Sequence, residues 1–107
     1  MANNYKNAKA DLTTTDATVL YTCPAATTAV MRSILVSDDS GSGDTITVTI
    51  TDASDAIFNV FNLKAISANT TSELLSEPLV VQENEVIKVT AATADRLHVV
   101  ASLLEMS

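Results

Sequence analysis

Residues 44–52 read DTITVTITD, and their alternation leaves little choice of conformation. Ile46, Val48 and Ile50 fall on one side of an extended chain, and Thr45, Thr47, Thr49 and Thr51 on the other. A period of two belongs to a β-strand with one face in a core and the other toward water or a neighbour. The same beat recurs along the chain. ATVLYTC and AVMRSILVS read as strands, and DAIFNVFNLKAI reads as one strand with a bulge or two short ones. SELLSEPLVV runs toward the turn QENE, and EVIKVTA and RLHVVASLLEM follow.

The segments between strands carry turn chemistry. SDDSGSGD joins AVMRSILVS to DTITVTITD and predicts a hairpin; AATAD joins the last two strands and predicts a second. In RLHVVASLLEM, Leu97, Val99, Ala101 and Leu103 share one face, with His98, Val100, Ser102 and Leu104 on the other, so both faces are expected to be largely covered. A helix over TTSELLSEPLVV competes for Glu73, Leu74 and Leu75, but Pro78 would break it within two turns. The pattern predicts an all-β fold, an antiparallel β-sandwich of about eight short strands. No linker, repeat or low-complexity tract splits residues 18–107, which form the expected sandwich domain. Residues 1–17, MANNYKNAKADLTTTDA, are expected to be an extended arm or an edge strand, in this chain or against a neighbouring copy.

Composition excludes several classes of function. A chain of 107 residues is one domain by length and buries enough surface to need no staple. The single cysteine allows no internal disulfide, and Cys23 with His98 falls short of a structural zinc set, so no cofactor is expected. A formal net charge of -7 disfavours nucleic acid and anionic membrane as partners. The first residues show no apolar signal region, and no run approaches the length that crosses a bilayer. Abundant Thr and Val suit pleated, half-buried surfaces, and two Gly and two Pro argue against a disordered or collagen-like chain.

Each candidate for chemistry has a plainer explanation. Cys23 precedes Pro24, which pushes it toward extended geometry and sets it at a corner between two strands. A catalytic thiol needs a base, and His98 is remote in sequence, so Cys23 reads as a small packing residue. Tyr21 and Cys23 are expected on one side of the first of these strands, with Val30, Ile34 and Val36 on one side of the second. The loop DDSGSGD has the oxygens a calcium ion wants. Counting twelve positions from Asp38 or Asp39, however, lands on Thr49 or Ile50 where a bidentate Glu is required. Neither a P-loop nor a nucleophile elbow is present. The sequon at Asn69 has no secretory signal to give it meaning, and the pairs Glu73 with Glu77 and Glu83 with Glu85 read as solvated faces.

A stiff, Thr-faced sandwich without a reactive site points to an interaction or structural module, since exposed strand edges must be covered or paired. The residues placed to carry contacts are Tyr5 on the arm, Asp38, Asp39 and Asp44 around the acidic loop, and Thr45, Thr47 and Thr49 on the polar face.

The run YTCPAATTAVMRSILVSDDSGSGDTITVTITDA, followed by ELLSEPLVVQENEVIKVTAATADRLHVVASLLEMS, resembles small virion structural proteins of tailed bacteriophages, those of aquatic and cyanobacterial phages above all. The likeness runs from about Thr18 to the end, and its motifs form the fold. It departs from the family pattern at two turns. Gly is frequent after the proline where this chain has Ala25 and Ala26, and Gly-Asp is frequent where it has Glu83, Asn84 and Glu85. The resemblance implies a jelly-roll-like sandwich present in many symmetric copies in a virion and made in the host cytoplasm. It further implies a capsid decoration or cement protein, with a neck, tail or baseplate component, or a host-surface binding module, as the alternatives. The implied partners are copies of itself, as a trimer, and the major capsid protein or another virion protein.

Overall fold

The computed structural model describes residues 3–107, and these form nine strands and no helix. In chain order they are β1 (Asn3–Leu12), β2 (Thr18–Thr22), β3 (Thr28–Asp38), β4 (Asp44–Thr51), β5 (Ile57–Ile66), β6 (Thr71–Glu73), β7 (Leu79–Val81), β8 (Val86–Ala91) and β9 (Leu97–Met106). Two antiparallel sheets face each other. One has the order β1-β9-β3-β6, with β7 also on β3, and the other the order β2-β8-β4-β5. If β6 and β7 are taken as one strand interrupted around Pro78, this is an eight-stranded jelly roll. The interruption accounts for nine strands where about eight were expected.

The two predicted hairpins do not form. β3 already has β9 on one edge and β6 and β7 on the other, and β9 is flanked by β1 and β3. With their hydrogen-bonding edges filled, neither strand can take its sequence neighbour. The loop after Asp38 therefore carries the chain into the opposite sheet, and the loop from Ala91 to Leu97 carries it back. The hairpin that does form joins β4 to β5, with Thr51 opposite Ile57. Its turn is built by Asp52, whose Oδ1 accepts from the amides of Ser54 at 2.9 Å and Ala56 at 3.0 Å.

The core is the set of inward faces. β9 alternates without a break: Leu97, Val99, Ala101, Leu103 and Glu105 are buried, while His98, Val100 and Ser102 on the other face are exposed. That second face is open, contrary to the expectation that both would be covered, because no layer lies outside this sheet. β3 changes phase. A bulge between Met31 and Ser33 adds Arg32 to the ladder with β9, so Ala29 and Met31 point inward before it and Ile34 and Val36 after it. Val30 thus lies on the other face from Ile34 and Val36, which corrects the simple alternation read along this strand. In β4, Ile46 and Val48 are buried, but Thr51 is buried as well and Ile50 is not.

β1 pairs with β9 along its whole length, from Asn3 opposite Met106 to Leu12 opposite Leu97. Residues 3–12 are therefore an edge strand of the same sandwich.

Candidate interaction surface

The corner that holds the only cysteine is closed. The Cys23 amide donates to the carbonyl of Glu85 and the Asn84 amide donates back to that of Cys23, both at 2.9 Å, docking the corner onto the 82–85 turn. The Ala26 amide adds a 2.7 Å bond to Glu83 Oε2. Cys23 itself is 1% exposed, and its thiol donates to the Thr27 carbonyl at 3.3 Å. Burial pushes the thiol pKa up, outweighing the lowering effect of its contacts with Tyr21 and the backbone of Ala29. A thiol kept protonated and covered is a packing group.

Beside it lies a polar contact that alternation along β9 could have announced, because position 105 continues the inward series 97, 99, 101, 103. Glu105 Oε2 accepts from the Tyr21 hydroxyl at 2.5 Å, and its Oε1 lies 2.9 Å from Lys6 Nζ. The Tyr21 hydrogen bond, and after it Lys6, hold the Glu105 carboxyl below its usual range against the opposing effect of burial. Burial, followed by the Glu105 hydrogen bond, raises the phenol of Tyr21. Both Glu105 oxygens are occupied, so the group ties β1, β2 and β9 together.

The acidic loop is exposed from Asp39 to Gly43, but the aspartates at its two ends are drawn in. Asp38 is 2% exposed, and its Oδ1 accepts from the amide of Ser40 at 2.9 Å and its hydroxyl at 2.7 Å. The structure withdraws Asp38 from the contact surface, because it is the inward-facing last residue of β3 and shapes its own turn. Asp44 is half-buried and accepts from the Thr93 amide at 2.9 Å. Asp39 is exposed, its Oδ2 3.6 Å from His98 Nδ1, and Asp11 Oδ1 lies 3.2 Å from His98 Nε2. Thr45, Thr47 and Thr49 line the outer face of β4 between β8 and β5, all half-buried, and Thr47 Oγ1 accepts from the Leu63 amide at 3.2 Å. Tyr5 stands apart from these on β1, 78% exposed. The structure places Asp38 and Asp39 at the end of β3 in the sheet that holds Tyr5, and Asp44, Thr45, Thr47 and Thr49 on β4 in the other.

Among the described residues no cavity opens to receive a ligand, and no group of three His, Cys, Asp or Glu side chains is placed to hold a metal ion. What the surface offers is strand. β5 is the outer strand of its sheet and exposes Ile57, Phe58 and Leu63 at 65%, 56% and 62%. The apolar and aromatic residues over 57–66 suggest a strand in the sequence even though they do not strictly alternate, but nothing in them says that the strand lies at an edge.

These features define a closed jelly-roll sandwich whose free features are edges and faces. No family model and no curated protein matches the chain in sequence. Among solved structures it is similar to a chain from Bacillus endospore appendages, which form a family of disulfide-linked pili. The TM-score is 0.60 at 9% identity, over 99% of this chain and 87% of that one. At that identity the likeness is one of fold.

Proposed function

We propose that this chain is a non-enzymatic structural subunit that works in many copies, as a decoration or cement protein of a bacteriophage capsid. The observation that carries the reading is the combination of a closed interior with unpaired edges. Inside, both Glu105 oxygens and Asp38 Oδ1 are held by internal hydrogen bonds or ion pairs, with Asp38 Oδ2 and Thr51 Oγ1 buried without a partner, while β5 presents Ile57, Phe58 and Leu63 to solvent. Exposed apolar side chains on a sheet edge favour association with another surface. The virion setting rests on the resemblance carried by residues 18–107. Self-assembly is supported by the fold it shares with a subunit of pili. Disulfide linkage through Cys23 is not part of the proposal, because that thiol is buried.

The test is to weigh the purified chain in solution and to sediment it with emptied phage particles. Oligomers that bind the particles are expected. A strict monomer without affinity for capsid or tail would overturn the reading.

A further inference from the structure

The two sheets have four outer borders, and three of them are poor templates for another strand. β5 carries two irregularities in its ladder with β4, one on either side of Val48, and Leu63 in the second sits at φ 52, left-handed for a bulky side chain. Bulges are an ordinary device that keeps an edge from pairing. β2 is five residues long with an irregularity between Val19 and Tyr21. β6 and β7 have three residues each.

β1 is different. It runs ten residues in unbroken register with β9, and its free side is unguarded by any bulge or proline. Among the described residues, the backbone of residues 3–10 makes no hydrogen bond outside that ladder. The outward side chains are Asn3, Tyr5, Asn7, Lys9 and Asp11, all exposed. On the inward side, Lys6 is already paired with Glu105. A row of alternate amides and carbonyls along the free side, with no competing free charge on the inward face, favours addition of a strand.

We propose that β1 pairs antiparallel with β1 of a second copy about a two-fold axis through Asn7, joining two sheets into one. This rests on the reading that the chain assembles with copies of itself. A two-fold axis perpendicular to the sheet keeps outward faces outward, so residues that oppose each other are both odd or both even in number. The axis through Asn7 sets Tyr5 against Lys9 of the second copy and Asn3 against its Asp11, twice over by symmetry. The Lys9 stem and ammonium then cover the exposed Tyr5 ring, an aromatic-cation pair, and no like charges stand opposite. An axis through Lys9 would oppose the two lysines. The occupant is a second β1 because this strand is self-complementary in that register and the other edges are blunted. An isologous contact closes at two copies, so a trimer would have to be built through another surface, of which β5 is the apolar candidate.

Asn7→Cys in a Cys23→Ser background tests the pairing in the full chain. Opposed residues in an antiparallel pair lie about 4.5 to 5.5 Å apart between Cα atoms, within reach of a disulfide. Under mild oxidation this variant is expected to give a covalent species of twice the chain's mass. Tyr5→Cys alone should stay single, and Tyr5→Cys mixed with Lys9→Cys should cross-link. Unchanged thermal melting shows that each variant folds. A folded Asn7→Cys variant that still forms oligomers or binds particles but does not cross-link overturns the β1 pairing and leaves the structural role standing. A chain that stays monomeric and binds no particle overturns both.

Discussion

Glu105 is the residue on which three strands depend, and its chemistry has a measurable signature. Its folded pKa is depressed by the Tyr21 hydrogen bond and by Lys6. The stability it contributes is therefore fully present above the unfolded value of about 4.3 and is lost as pH falls through the lower folded value. Glu105→Gln is expected to cost about 1.5 to 3 kcal/mol at pH 7, the range for hydrogen bonds to charged groups. The deficit should shrink at about pH 3, where the wild-type carboxyl also protonates as the chain unfolds. Thermal unfolding of both proteins at the two pH values checks this; an unchanged deficit would mean the charge is not what matters. Glu105 was legible in the alternation of β9, but its partners were not. Lys6 and Tyr21 lie far away in sequence, and only the meeting of β1, β2 and β9 brings them within reach.

Two of the turns fall on demanding backbone. Ala26 has φ 58 and Asn84 has φ 64, both left-handed. Asn tolerates that region, whereas an alanine Cβ crowds the following carbonyl at a cost of roughly 1 to 2 kcal/mol. Ala26→Gly is therefore expected to stabilise the sandwich by about 1 kcal/mol or less, once the extra freedom of glycine in the unfolded chain is subtracted. Denaturant midpoints measure it, and a destabilised variant would show that the Ala26 methyl packs usefully. Strand existence was readable from periodicity along β3, β4, β8 and β9. Their partners were not, since a Gly and Asp loop such as 39–43 serves a hairpin and a sheet-to-sheet crossing equally well. The Arg32 bulge was hidden too, because one extra residue shifts phase without altering composition.

For the molecule as a whole, charge and assembly pull in opposite directions. Each copy carries a formal charge of -7, so copies repel at long range while edge hydrogen bonds and apolar contacts act at short range. Raising ionic strength from about 0.01 to 0.15 M shortens the screening length from about 30 to 8 Å and removes most of that repulsion. Self-association is therefore expected to strengthen with salt over this range, as sedimentation equilibrium would record. Weakening instead would point to a contact made mainly of ion pairs.

The sequence by itself determined that this chain is all-β, that its single cysteine allows no internal disulfide, and that the acidic loop lacks the glutamate an EF-hand loop requires. Side-chain period, cysteine count and ligand spacing are local properties, and they can be read one segment at a time. The tertiary structure alone decided which strands pair, that the predicted hairpins cross between sheets, that Asp38 turns inward, and that β1 and β5 are left at the edges. The physical reason is that a strand offers two hydrogen-bonding edges to any compatible neighbour. Which neighbour takes them is settled by how all nine strands fill one core.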